Sequence, residues 1–472
     1  MAGCTTGINS GIPTITLRPN QYLETDDDGM PICILTDKCA KAIEEELHIK
    51  TIGKEMYIYD GGVYRSGGED KIKTYISNMF LNQVDQYGES VSTIKAQREI
   101  IYKLQALTRV KLEDFDKEIR LINMRNGLYD WADGTFYEHT PKYPSLIQIP
   151  IEYDPDATCE NIDKMLHIAA REKDIIKLYE FVAYMLYRGY PIQKFLVLFG
   201  PPNTGKSVFE NLIACFLGSD NISSTTLLDI SRDKHALIDF HGKLANVTSE
   251  LSKEVINDTG PIKRLISNTD RIHVRDLYKS WIDFINFAKI VFGTNILPPI
   301  GEDIAAFAKR VDMAIFDHVY TKEEYDQNFL DSLTTPQELS GLFNKVIKLL
   351  PDLIKRNAFT NQLTIAEATK LYAERSIPEE HFLNEYLCEK PDSDIAKKEL
   401  YPYYVKYCSK MKLTPISINR FGSYIKKNIN WLDKNDKQDM KATVRFGDMV
   451  YAVWPRTFFD IAKFNKWLES QD

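Results

Sequence analysis

Residues 195–218 read FLVLFGPPNTGKSVFENLIACFLG. Phe195–Phe199 is a short uninterrupted apolar run, as expected of a strand covered on both faces. Gly200–Ser207 then satisfies G-x-x-x-x-G-K-S. After it, Val208, Phe209, Leu212, Ile213, Phe216 and Leu217 recur along one helical face until Gly218 stops the helix. Strand, glycine-rich turn and helix in this order give the motif a physical meaning. Backbone N–H groups and the helix N-terminus cradle phosphates, Lys206 reaches the β and γ oxygens, and Ser207 ligates Mg²⁺. The expected nucleotide-binding residues are Gly200, Pro201, Pro202, Asn203, Thr204, Gly205, Lys206, Ser207 and Val208, with ATP and Mg²⁺ as cofactors. The loop alone does not say what the hydrolysis drives, since kinases, switches, transporters and motors all use it.

Working outward, strand-like runs recur at FLVLFG, KLANVTS, AKIVFGT and VDMAIFD, separated by helical patterns. This alternation predicts a parallel α/β sheet from residue 193 to about 350. Residues 1–155 mix short strands with helices. EMYIYDGGVYRSGG predicts a hairpin closed at Gly61-Gly62, and INMRNGLYDWADGTFYEH another closed near Asp133-Gly134, with helix over roughly 71–120 between them. Pro155 in YDPDAT precedes a helical stretch, 156–192, read as a linker or collar. Residues 351–472 are helical, with IPEEHF expected as a linker and TVRFGDMVYAVW as a hairpin turning at Gly447-Asp448.

Of 472 residues 44% are hydrophobic, and the formal net charge is -8. Ordinary globular cores are therefore expected, and nucleic-acid binding would have to come from local basic patches. The seven cysteines are scattered, without a C-x-x-C pair, and read as reduced thiols of a cytoplasmic protein. The N-terminus lacks the charge and apolar pattern of a signal peptide. The nearest membrane-length run, FVAYMLYRGYPIQKFLVLFG, is broken by Arg188, Gly189, Pro191 and Lys194, so no membrane association is expected.

Three polar residues fall at strand ends after the loop. Glu250 closes KLANVTSE, 44 residues past Lys206, where an acid can orient Mg²⁺ or polarise the attacking water; otherwise it begins the next helix on the surface. Asn295 closes KIVFGTN and can hold that water, or can simply start the turn before Pro298-Pro299. Arg310 precedes VDMAIFD, where a guanidinium can stabilise transition-state charge, in ring ATPases from a neighbouring subunit. A salt-bridging helix-end role is the alternative, and Lys309 competes with it.

Between Glu250 and Asn295, RIHVRDLY and WIDFINF flank Lys279-Ser280 as the arms of a hairpin with a cation at its tip. Arg275, Tyr278 and Trp281 stand nearby, and His273 is alternatively a packed strand residue. Cations for phosphates and aromatic faces for bases suit single-stranded nucleic acid, although composition alone equally describes a solvated hairpin. Lys397, Lys398, Lys406, Lys410, Lys412, Arg420, Lys426 and Lys427 face only Glu399 in a second basic segment. SINRFGSYIKKN with the following hairpin suggests a winged helix, or else a helical lid with a basic face. The acidic pairs Asp26 to Asp28 and Asp154/Asp156 are the only candidates for two-metal nucleotidyl transfer. The first reads as a turn and the second belongs to YDPDA, so no primase activity is expected.

The ordered series GPPNTGKS, GKLANVTSE, IKRLISNTDRIHVRDLYKS and FAKIVFGTNILPPIGEDIAAFAKR resembles the superfamily 3 helicases, closest to the phage and plasmid primase-helicase family shared with large DNA viruses. NGLYD, EHTPKY and IEYDPDA are similar to the poxvirus-type domain that precedes the motor in that family. The resemblance runs from about residue 50 to 320. It implies an AAA+ P-loop NTPase core of α/β class, an α+β N-terminal domain and a C-terminal winged-helix-like domain. Lys206 and Ser207 fall on Walker A, Glu250 on Walker B, Asn295 on sensor 1 and Arg310 on the arginine finger. Ser249 stands where many Walker B strands carry a second acid. The resemblance also places the channel hairpin at Lys279, with Arg275, Tyr278 and Lys263 as further DNA contacts. What it implies is a hexameric ring moving 3′ to 5′ on single-stranded and forked DNA in replication of a phage, plasmid or other mobile element, with any primase or polymerase on another chain. The alternative is an origin-binding initiator or loader whose ATPase governs assembly.

Overall fold

The computed structural model describes residues 16–249, 251–252, 254–275, 281–301, 303–321, 324, 328–411, 413–429, 432, 443–446 and 449–470. The chain divides into two units. One comprises Met1–Cys159, Ala214–Asn221 and Thr334–Pro351; the other comprises Glu160–Ile213, Ile222–Leu333 and Asp352–Asp472.

In the first unit, three amphipathic helices follow from apolar residues at helical spacing. Thr36–Leu47 buries Cys39, Ala40, Ile43 and Leu47, Gly68–Met79 buries Ile72, Tyr75, Ile76 and Met79, and Ile94–Leu107 buries Ile100, Ile101 and Leu104. Both expected hairpins are present. Asp60 lies opposite Val63 around Gly61 and Gly62, whose φ values of 56° and 92° are what such a two-residue turn demands. Asp130 lies opposite Thr135 across the Asp133-Gly134 turn. A third hairpin, Leu121–Met124 with Gly127–Asp130, turns at Arg125-Asn126. The helix expected to reach residue 120 ends at Leu107. Arg109–Val110 instead pairs in parallel with Thr51 and Ile52, completing a four-stranded sheet. Asp26 spends its carboxylate on its own turn, accepting from the N–H of Asp28 and Met30. Helix Pro336–Ile347 belongs to this unit, and its Gly341 passes so near the backbone that a Cβ would meet the Thr158 carbonyl carbon at 2.1 Å.

The second unit is built on a parallel sheet of five strands, in the spatial order Ile222–Ser223, Ala245–Thr248, Lys289–Thr294, Phe195–Phe199, Val311–Ile315. All four strands read from the sequence are there. The last three in this order, Lys289–Thr294, Phe195–Phe199 and Val311–Ile315, are buried along their whole length, as parallel strands covered on both faces must be. Helix Glu172–Met185 packs on them with three buried charges. Lys177 Nζ lies 2.9 Å from Asp312 Oδ1 and 3.3 Å from Asp174 Oδ1, and donates to the Met313 carbonyl at 2.8 Å. Burial works against the Lys177 charge, but the two carboxylates outweigh it and hold its pKa above the ordinary lysine value.

The C-terminal part of this unit departs from the sequence reading at IPEEHF and adds the short strands Leu387–Glu389, Ile395–Ala396 and Thr457–Phe459. Pro378 is not a linker residue but the first residue of helix Pro378–Tyr386, where a missing N–H costs nothing. Phe382 of that helix lies fully buried among Tyr386, Tyr404, Tyr407, Phe421, Phe459 and Phe464. Helix Ile418–Asn428 is present with Arg420, Lys426 and Lys427 exposed, and strands Thr443–Phe446 and Met449–Trp454 pair as expected; their turn lies outside the described residues, as does Lys412. Among the described residues no helix is long and apolar enough to cross a membrane.

Lys289 begins the strand next to Phe195–Phe199 and has no exposed surface. Its Nζ donates to the Tyr187 and Phe287 carbonyls at 2.6 and 2.7 Å between the rings of Tyr184 and Tyr190. With no carboxylate beside it, burial lowers its pKa well below 10.5. The unfolded chain therefore binds a proton that the native amine gives up, and stability must rise with pH between the native pKa and 10.5. Urea unfolding of wild type and Lys289→Met across this range tests it: the variant is expected to lose part of the rise, and equal slopes would contradict the assignment.

Candidate nucleotide site and nucleic-acid interface

The glycine-rich loop leaves the sheet at the C-terminal end of Phe195–Phe199, where crevices form in open parallel sheets. Gly200 N–H donates to the Thr294 carbonyl at 3.2 Å, and Phe316 N–H to the Phe199 carbonyl at 2.8 Å. A Cβ on Gly200 would fall 1.9 Å from the Phe316 oxygen, so only glycine passes here. Asn203 and Gly205 take left-handed φ of 60° and 85°, folding the chain back before helix Lys206–Leu217 begins. Thr204 is buried and donates to the Pro201 carbonyl at 2.9 Å. Lys206 Nζ donates to the carbonyls of Gly200 and Pro201 at 2.8 and 2.6 Å and to Thr204 Oγ1 at 3.2 Å. The ammonium thus lies inside the loop, on two carbonyls and a hydroxyl, and burial lowers its pKa while Glu210 pulls the other way. A cleft of about 710 Å³ opens beside the loop, lined by Gly205, Ser207, Val208, Asn211, Tyr320 and Phe329 among others.

These residues fit a nucleotide and a divalent cation. The first N–H groups of the helix have no partners within it and point along the positive end of its dipole. Lys206 needs only to exchange carbonyl oxygens for phosphate oxygens, and the Ser207 side chain is exposed at the cleft. Glu210, which sequence reasoning passed over, lies one helical turn past Lys206. It is 4% exposed, and neither of its carboxylate oxygens completes a hydrogen bond among the described residues. The signal was present: Glu210 shares a helical face with Ile213 and Leu217, which the apolar pattern marks as buried.

The strand-end residues distribute unequally. Asn295 is exposed and directly follows Thr294, whose carbonyl takes the Gly200 N–H, so it stands at the foot of the loop. Glu250 lies outside the described residues; Thr248 and Ser249 bring the chain to it along the neighbouring strand. Arg310 is at the other end of the sheet. Its carbonyl accepts from Phe195 N–H at 2.9 Å, so a full strand separates it from Gly200, roughly 16 Å at 3.3 Å per residue. Its guanidinium is half-buried and donates to the Ala306 carbonyl at 2.6 Å, with burial lowering its pKa; Lys309 beside it is exposed.

The expected hairpin is formed by Arg271–Arg275 and Trp281–Ile285, with Arg275 opposite Trp281 and His273 opposite Asp283. Alternation buries Ile272 and Val274 and turns Arg271, His273 and Arg275 to solvent. His273 is therefore not a packed strand histidine. Its ring stacks on Trp281 at 4.4 Å, and Nδ1 lies 2.6 Å from Asp283 Oδ1. Tyr278 and Lys279 lie outside the described residues. Lys263, on helix Gly260–Leu265, is half-buried and belongs to a different element from the hairpin. A second cleft, about 700 Å³, lies at the turn end of the described hairpin, lined by Arg275 together with His235, Asp229 and Asp239.

Residues 35–169 match the family described as D5 N terminal like, and residues 198–310 match a family of unknown function, DUF5906. Putative helicase 184R of Invertebrate iridescent virus 6 is 24% identical over 277 residues, covering 55% of this chain and 27% of that protein. AAA-ATPase At3g28540 of Arabidopsis thaliana is 33% identical over 182 residues, covering 38% of this chain and 32% of its own length. The chain thus spans about a third or less of the curated relatives it matches. Among solved structures, the apo C-terminal region of NrS-1 shows 9% identity and a TM-score of 0.42, covering 88% of this chain and 98% of that one. The chain is related to the phage and viral primase-helicase family, with a D5 N-terminal-like domain ahead of its glycine-rich loop.

Gly205→Ala and Gly242→Ala separate loop geometry from backbone strain. Both glycines have left-handed φ, 85° and 71°, so each substitution carries a similar local cost of about 1 kcal/mol. Only at Gly205 does the new methyl meet neighbours, Ala169 and Tyr320 at 3.4 Å, and only there does the chain contact the cleft. Titration with a fluorescent ATP analogue is expected to show lost binding for Gly205→Ala and unchanged binding for Gly242→Ala.

Proposed function

We propose that this chain is an ATP-dependent DNA helicase, an AAA+ P-loop motor that acts as a hexameric ring. The observation that supports it most directly is the Gly200–Ser207 loop at the C-terminal end of a central parallel strand, with Lys206 ready to leave its carbonyl partners. Lys206 and the loop N–H groups hold the triphosphate, and Ser207 with Glu250 holds Mg²⁺, which when bound screens the charge developing between the β and γ phosphates. Asn295 orients the attacking water from the foot of the loop. Arg310 serves a neighbouring subunit's nucleotide, because it lies a strand's length from its own loop. The Lys279 hairpins line the channel and carry a single strand 3′ to 5′, with Arg275, Tyr278 and Lys263 as supporting contacts. The putative helicase 184R and the AAA-ATPase to which the chain is similar point the same way. We assign residues 1–155 to a pre-motor domain, 156–192 to a collar, 193–350 to the motor and 351–472 to a winged-helix-like DNA-binding domain. The setting is replication of a phage, plasmid or other mobile element in the host cytoplasm, beside a separate primase or polymerase.

One observation favours a second reading, an origin-binding initiator or loader. Helix Ile418–Asn428 exposes Arg420, Lys426 and Lys427, a surface suited to duplex phosphates. ATPase and unwinding assays on forks with 3′ or 5′ tails separate the two. Wild type is expected to unwind from the 3′ tail, Lys206→Ala to lose both activities, and Lys279→Ala to keep basal ATPase but lose its DNA stimulation. DNA-dependent ATPase without unwinding would favour the initiator, and full unwinding by Lys279→Ala would refute the hairpin assignment.

A further inference from the structure

Glu210 is a buried acid behind the glycine-rich loop for which the proposed chemistry has no task. It lies on helix Lys206–Leu217, one turn after Lys206 and three residues after Ser207, and is 96% removed from solvent. Its carboxylate rests against the backbone of Gly293, in the strand that ends one residue later at Thr294. A Cβ at Gly293 would fall 1.8 Å from Glu210 Oε1, so the fully buried strand forgoes a side chain at this point, and the carboxylate fills the space. Interior strand glycines weaken a sheet, which marks the position as one where a close approach is required. Ser249, at the end of the adjacent strand, and Lys206 both act on the acid and favour its charge, while burial opposes it more strongly and raises its pKa.

A carboxylate this buried is costly to keep when, among the described residues, only the Ser249 hydroxyl acts on it as a hydrogen-bond partner and neither oxygen completes a bond of good geometry. Packing alone gives no reason to keep it, because a methionine or leucine would fill the volume without that cost. Pairing with Lys206 does not use it either, since that ammonium donates to Gly200, Pro201 and Thr204 instead. What remains is its place. It stands at the C-terminal end of Lys289–Thr294, the strand beside the loop's own, near Ser249 and a turn below the helix terminus where phosphates and their cation would lie. Magnesium bound with a nucleotide is held by one or two carboxylates, the phosphates and water, so a carboxylate close to Ser207 is a chemical requirement of the site.

We propose that Glu210 is a metal-site carboxylate, supplying negative charge to the divalent cation that accompanies the nucleotide at Ser207. This rests on the nucleotide-binding reading above. Glu210 then complements Glu250: one acid comes from the loop's own helix, the other from the strand beside it.

The test is Mn²⁺ affinity, read by electron paramagnetic resonance on protein saturated with a non-hydrolysable ATP analogue. Wild type is compared with Glu210→Gln, Glu210→Asp and Glu210→Gln combined with Ser249→Asp. Glu210→Gln keeps the shape and is expected to keep metal-free analogue binding and thermal stability, while Mn²⁺ affinity falls roughly ten-fold or more, as on loss of a carboxylate near a metal. Ser249→Asp in that background restores a charge beside the site and is expected to recover most of the affinity. Wild-type Mn²⁺ affinity in Glu210→Gln overturns the inference. Should that variant not fold, Glu210→Asp decides in its place, since withdrawing the charge by one methylene must also weaken Mn²⁺. Failure of wild type to bind the analogue at all would remove the nucleotide reading itself, a result distinct from intact analogue binding with unchanged Mn²⁺ affinity.

Discussion

The second unit is organised around one steric constraint, the passage of Gly200 between two neighbouring strands at the sheet edge. Its N–H is committed to Thr294, and its missing side chain admits the Phe316 carbonyl to where a Cβ would be. These two contacts fix the direction in which the chain leaves the sheet, and so fix the loop, the helix after it and the cleft between them. They also place Asn295 beside the loop, because the residue that accepts from Gly200 is the one before it. Phe199, the last strand residue, extends the same constraint outward: the Arg375 guanidinium stacks over its ring at 4.5 Å, bringing helix Ile365–Ser376 onto the sheet. Tyr372 of that helix donates to the Pro298 carbonyl at 2.8 Å, so the segment after Asn295 is held from the same side.

Elsewhere in this unit several charges are buried, and each is settled differently. Lys177 is balanced by two acids, Lys289 rests on carbonyls with its pKa lowered by burial, and Glu180 is tied to Arg356 at 2.5 Å and to the Thr360 backbone at 2.7 Å. Each of these three fixes one element against the sheet or the helix before it, at a desolvation cost that only completed partners offset. Glu210 breaks the pattern. It is as buried as the others, but no ion pair holds it among the described residues, whereas Asp312, whose oxygens likewise complete no hydrogen bond of good geometry, faces the Lys177 ammonium at 2.9 Å.

The sequence made the middle of the sheet legible because buried parallel strands are mostly apolar runs: FLVLF is uninterrupted, and KIVFG and VDMAI carry one buried charge each, Lys289 and Asp312. Hairpins with Gly-Gly and Asp-Gly turns were equally readable, since those residues meet the dihedral demand of the turn. What could not be read is what depends on distant partners. Ile222–Ser223 and Arg109–Val110 are two residues long and become strands only by pairing with Ala245–Asn246 and Thr51–Ile52. Leu387–Glu389 likewise needs Thr457–Phe459, seventy residues away along the chain. IPEEHF was misread because proline marks both linkers and helix starts, and only the burial of Phe382 distinguishes them. At the site, Lys206 and Ser207 were evident from spacing. Glu210 required asking why an acid occupies the apolar face of a helix.

The positions of Lys206 and Arg310 at opposite ends of adjacent parallel strands carry a consequence for the proposed motor. Because Phe195 pairs with Val311 and Phe199 with Ile315, no loop rearrangement short of dismantling the sheet brings Arg310 to its own chain's phosphates. Under the helicase reading, each subunit is then half of two sites, giving the loop to one and the guanidinium to the other. Arg310 is half-buried on the Ala306 carbonyl in the single chain, so a neighbour's phosphates must compete with that contact. The hairpin of Arg271–Arg275 and Trp281–Ile285 belongs to the chain between strands Ala245–Thr248 and Lys289–Thr294, the second of which runs beside the loop's own strand. Movement of Asn295 or Ser249 on nucleotide exchange would therefore reach it through the sheet rather than through a flexible tether. Coupling of hydrolysis to the strand in the channel is, on this geometry, a property of the sheet's register as much as of the residues at its ends.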